Sequence, residues 1–103
     1  MKDKDLMIIQ AAELKPTVRK AIKGCGTVLY NLEKILGLEC GGHGYGFGGE
    51  DIDFRIDGVT TYLGWDGQTL TVNCDDDAET VSKDKVRKFL QKKLLAKPTK
   101  TKA

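Results

Sequence analysis

The chain has 103 residues, of which 31% are charged and 40% hydrophobic. That suits one globular domain with a modest core and leaves no room for a second. The longest early apolar run, Leu6 to Ile9, is too short for a secretory signal, and no stretch approaches the ~20 apolar residues of a membrane span.

The net charge of +2 conceals an asymmetry along the chain. Residues 83–103 carry nine bases and one acid, residues 50–79 carry nine acids and one base, and residues 1–49 carry seven bases and five acids. An acidic middle is therefore followed by a basic end. One reading is intramolecular, with the basic helix shielding the acidic segment; the other is two surfaces for two kinds of partner. The three cysteines form an odd and irregular set, so reduced thiols in a cytoplasmic setting are expected rather than a disulfide framework.

In chain order, residues 3–14 read either as a short helix or, at Leu6 to Ile9, as a strand. Val18, Ile22, Cys25, Leu29, Leu32 and Leu36 step by three and four, the spacing of an amphipathic helix face that opens near Pro16 and stops at Gly37. Gly24 and Gly26 either admit a close neighbour or split that helix in two. Ile52, Phe54 and Ile56 alternate with charged residues as in a strand with one buried face. Asp57-Gly58 and Asp66-Gly67 are hairpin turn signals, and the runs Val59 to Trp65 and Leu70 to Cys74 alternate likewise. Asp75 to Glu79 is an acidic loop. Ser82 reads as an N-cap, with Val81 and Val86 forming a hydrophobic staple. Val86, Phe89, Leu90 and Leu94 then form a helix stripe that ends at Lys97-Pro98. The expected fold is thus α+β in two layers: an N-terminal helix or two, a three-stranded antiparallel meander, and a C-terminal helix on the same sheet face. Residues 1–97 would form the domain and 98–103 a flexible basic tail. The order of helix, meander and helix resembles that of double-stranded-RNA-binding domains, whose last helix is also basic. The resemblance covers element order alone. The segment before Ser82 is acidic where that family has a glycine-rich basic run, and the last helix lacks an alanine-rich interior.

Residues 40–49, CGGHGYGFGG, contain six glycines together with the only histidine. The stretch reads as a glycine-rich loop. If it is extended, His43, Tyr45 and Phe47 point one way. They are out of phase with Ile52, Phe54 and Ile56, and a bulge at Gly48-Gly49 would restore the phase. The aromatics then form either a lid on the core or a finger that orders on a partner. The letters of Gly44 to Gly49 fit G-x-G-x-x-G, but the stretch follows a helix and runs into Glu50 and Asp51, the wrong context for cradling phosphate. Ser82 is the only serine, and no nucleophile, base and orienting group fall together, so no catalytic activity is expected.

The expected function is a non-catalytic protein-binding module, a stoichiometric inhibitor or regulator of a larger protein, working through His43, Tyr45 and Phe47. The alternative is an RNA- or DNA-binding module. Its contacts would come from the C-terminal helix, where Lys85, Lys88 and Lys92 share one face flanked by Arg87 and Lys93. No cofactor is implied. Cys40-x-x-His43 has metal-ligand spacing, and Cys25 and Cys74 would complete a zinc set. Those two cysteines, however, also continue apolar stripes, as small buried hydrophobes do. The purified protein is therefore expected to carry no stoichiometric metal. Native mass spectrometry showing one zinc per chain, lost together with folding on chelation, would contradict this.

Overall fold

The alternating residues of the middle region build the centre of the fold. β3 (Gly49–Ile56), β4 (Val59–Trp65) and β5 (Thr69–Cys74) form an antiparallel meander. One face of it is buried through Ile52, Phe54, Ile56, Leu63, Leu70 and Val72. The turns follow local chemistry. Asp57 and Gly58 both take positive φ, 54° and 80°, as a tight hairpin with right-handed strand twist requires. At the next turn Asp66 Oδ1 accepts the N–H groups of Gln68 and Thr69, each at 2.8 Å. Those two donors hold its carboxyl below the usual carboxylate range.

The computed structural model describes residues 6–23, 28–46, 49–75 and 77–96. It corrects the three-stranded meander to a five-stranded antiparallel sheet of order β1-β5-β4-β3-β2. β1 (Met7–Gln10) pairs with β5, and β2 (Cys40–Gly46) pairs with β3. With these two strands present the element order is no longer that of a double-stranded-RNA-binding domain. Most of the segment read as a glycine-rich loop is thus an edge strand. Gly46 faces Gly49 and His43 faces Ile52, so the two-residue connection itself brings odd positions of β2 onto the face of even positions of β3. The bulge lies elsewhere, at Gly41-Gly42, where Cys40 faces Phe54 and the register shifts by one. Phe47 and Gly48 lie outside the described residues.

Three helices cover the buried sheet face. α1 (Pro16–Ile22) opens on proline, where the missing N–H costs no hydrogen bond, and buries Val18 and Ile22. A 3₁₀ turn at Val28–Asn31 leads into α2 (Leu32–Leu36), which buries Leu32 and Leu36. Of the two readings of the N-terminal stripe, one helix or two, the structure has two, α1 and α2, and Cys25 lies outside the described residues. Gly37 ends α2 in the left-handed conformation at φ 74°, its N–H bonded to Glu33 O at 2.8 Å. α3 (Thr80–Leu94) buries Val86, Leu90 and Leu94. It starts two residues before the expected Ser82 cap, with Glu79 at the cap position. Val81 is 63% exposed and does not staple the helix start. The last turn of α3 is tied to the start of α1: Lys15 N–H donates to Leu94 O at 2.8 Å, and Leu14 bridges Leu95. No helix among the described residues is long and apolar enough to cross a membrane.

Two glycines of the β2–β3 hairpin separate conformational need from tolerance. Gly49 has φ 120°, and a Cβ there would lie 2.2 Å from the Trp65 carbonyl oxygen, whereas a Cβ on Gly46 would meet nothing within 4 Å. Gly49→Ala is expected to lower stability by about 3 kcal/mol. Gly46→Ala should stay within about 0.5 kcal/mol of the parent. Urea unfolding of the two variants checks the contrast.

Candidate functional site

The register places His43 opposite Ile52 and Tyr45 opposite Glu50, so His43 and Glu50 are diagonal neighbours on the helix-side face of the sheet. Glu50 is 6% exposed, and a carboxylate so placed needs donors. Its Oε2 accepts the Leu29 N–H at 2.9 Å and is hydrogen-bonded to His43 Nε2. The Leu29 N–H belongs to the first turn of the 3₁₀ segment, where backbone donors lack partners within the turn and a negative group is favoured.

His43 is thereby fixed, with only 7% of its side chain exposed. The Tyr30 ring packs on it with centroids 4.3 Å apart at 32°, and Tyr45 meets it edge-on at 5.0 Å and 89°. The outer surfaces of these tyrosines remain in solvent, Tyr30 40% and Tyr45 63% exposed. The result is an aromatic platform at the sheet edge built from a 3₁₀ turn and a glycine-rich strand. His43 is an anchored part of it rather than a mobile finger. The sequence reading missed Glu50 and Tyr30. Glu50 shares the parity of Ile52, Phe54 and Ile56, and that phase marks it as inward. Nothing in the local pattern marks Tyr30, whose placement depends on the turn docking against β2.

The two described cysteines do not converge. Cys40, Phe54, Thr61 and Cys74 are successive register partners across β2, β3, β4 and β5. The outer pair is thus three strand spacings apart, roughly 14 Å, too far to share one tetrahedral ion. Both are free thiols. Cys40 is pushed up by desolvation and by its hydrogen bond to Glu33, and Cys74 mainly by burial. No group of three or more His, Cys, Asp or Glu among the described residues is arranged to hold a metal ion. Ser82 sits in the first turn of α3 and is not among the described residues that touch His43 or Glu50.

The opposite sheet face bears a shallow groove of about 570 Å³, with Asp51, Asp53, Tyr62 and Asn73 among the residues around Gly42, Gly44 and Gly64. Asp53 accepts the Gly42 N–H, and Tyr62 donates to Asp75 Oδ1 at 2.9 Å, a bond that raises the phenol above its ordinary range. On α3, Lys85, Lys88 and Lys92 are exposed as their spacing requires. Arg87 is paired with Asp84, and the Lys93 ammonium lies 5.7 Å from the Phe89 ring centroid.

Removing the Glu50 carboxylate strands the Leu29 N–H and the His43 ring. Glu50→Ala is expected to lower unfolding free energy by about 2–3 kcal/mol, and Glu50→Gln, which keeps an acceptor, by less. Trp65 is 8% exposed and faces Glu50 in the register, so its fluorescence in a urea titration reports the loss where it occurs. In comparisons with known proteins, no family model, curated protein or solved structure matches this chain.

Proposed function

We propose that this protein is a small non-catalytic binding module that acts through protein–protein contact. In this reading it is a stoichiometric inhibitor or regulator of a larger protein, and it docks through the β2–β3 hairpin. The observation that carries the reading is the aromatic platform. Tyr30 and Tyr45 expose their outer surfaces and both pack on a histidine held in place by a buried carboxylate. Tyrosine supplies large contact area at low entropic cost and is enriched among residues that dominate interface energetics. Pre-organisation by the His43–Glu50 bond lowers the ordering cost that a loose glycine loop would impose on association. Phe47, next along the chain, belongs to the proposal on its sequence position.

Tyr45→Ala is expected to weaken partner binding about 30-fold, the equivalent of ~2 kcal/mol. The melting temperature should shift by no more than about 2 °C, because so exposed a ring contributes little to folding. The partner is first captured on immobilised protein from source lysate, then titrated by calorimetry against parent and variant. A loss of several kcal/mol of stability in Tyr45→Ala would make the ring a lid on the core and remove it from the interface. Unchanged affinity would do the same.

A further inference from the structure

The helical layer presents a second surface of different chemistry. In α1 the buried direction lies between Val18 and Ile22. At about 100° per residue Lys20 points about 180° away from it. In α3 the buried direction is set by Val86, Leu90 and Leu94. Lys88 and Lys92 each point about 160° away from that, on either side of the outward direction. Both helices bury their apolar residues in one core, so these three lysines project away from it into solvent. They are joined along the surface, since the last turn of α3 is hydrogen-bonded to Lys15 at the start of α1. Lys85 extends the row toward the β3–β4 turn, where it borders Asp57. Beside Lys20, a concavity of about 330 Å³ is lined by Pro16, Thr17, Arg19, Lys20 and Lys23, three cations and no acid. On α3 the one acid among the exposed lysines, Asp84, is paired with Arg87.

We propose that this surface, Lys20 and Lys23 of the α1 segment together with Lys85, Lys88 and Lys92 of α3, docks the phosphate backbone of double-stranded nucleic acid. Charge complementarity selects a polyanion. The absence of any exposed aromatic on α1 or α3 among the described residues leaves no platform on which unpaired bases could stack, which favours a duplex over a single strand. The opposite sheet face carries Asp51, Asp53 and Asp75, so the field of the molecule turns the helices toward the duplex. The contact is sequence-independent, since a row of lysines reads phosphates and not base edges.

The test is fluorescence anisotropy of the intact protein with a labelled duplex of about 24 base pairs, as DNA and as RNA, and with each single strand, across ~50 to ~200 mM sodium chloride. Five phosphate contacts give a slope of log affinity on log salt near −4.5, an affinity loss of about 500-fold over that range. The pairs Lys20→Ala with Lys23→Ala and Lys88→Ala with Lys92→Ala should each reduce the slope by about 1.8. Those residues are exposed, so both variants should melt with the parent, and the corresponding Lys→Gln pairs give the same reading should either alanine pair fail to fold. Tyr45→Ala should bind duplex as the parent does, which separates this surface from the aromatic platform. The proposal is overturned by any of four results. These are no duplex binding at ~50 mM salt, an unchanged slope in the Lys20–Lys23 pair, tighter binding of a single strand than of either duplex, or a loss of duplex binding in Tyr45→Ala.

Discussion

A carboxylate taken out of water must be met by donors, and the way Glu50 is met organises the sheet edge. Its two donors come from different parts of the chain: a backbone N–H at the start of a 3₁₀ turn and the ring of His43 on the neighbouring strand. One side chain thereby fastens the turn that precedes α2 to the β2–β3 hairpin. The desolvation of the carboxylate is offset only while both donors are in place. That requirement makes the arrangement specific as well as stable. A slip of β2 by one residue would turn His43 to the other face and put Gly42 or Gly44 in its place, leaving Glu50 without that donor.

The glycines of β2 act on the opposite face. A Cβ on Gly41 would lie 2.7 Å from Asp53 Oδ1, so the bulge and the glycine beside it leave room for the aspartate to accept the Gly42 N–H. A strand rich in glycine packs poorly on its own account. Here the rings of Tyr30 and His43 supply the packing on the helix side, with the exposed Tyr45 edge-on at its rim, while the other side stays shallow and acidic. The same strand thus borders two surfaces of unlike chemistry, one aromatic and one anionic.

Charge is divided across the thickness of the molecule. Acids occupy the solvent side of the meander because alternation puts Asp51 and Asp53 opposite the apolar residues. Lysines occupy the outer side of the helices because the three-and-four spacing puts them opposite Val86, Leu90 and Leu94. No long-range pairing is needed to produce the division. It follows from two periodicities, each turning its polar residues away from a shared core.

Alternation and turn chemistry were enough to place the strands at Ile52 to Ile56, Val59 to Trp65 and Leu70 to Cys74, the hairpins at Asp57-Gly58 and Asp66-Gly67, and the apolar stripe of the last helix. Each of these is set by neighbours within a few residues. The phase of Glu50 was equally legible, since its parity is that of Ile52, Phe54 and Ile56. What tertiary structure decided is the fate of segments with no periodic signal. Residues 40–46 became a strand because β3 offered an edge, glycine by itself favouring no conformation. Residues 7–10 became a strand because β5 did likewise, local propensity being a weak prior beside pairing and burial. The N-terminal stripe, which its glycines left open to one helix or two, is divided, and the 3₁₀ turn before α2 brings the Leu29 N–H to Glu50. Tyr30 reached His43 through that turn. A ring contact between residues thirteen apart in sequence leaves no mark in local spacing, because it depends on where two separately formed elements meet.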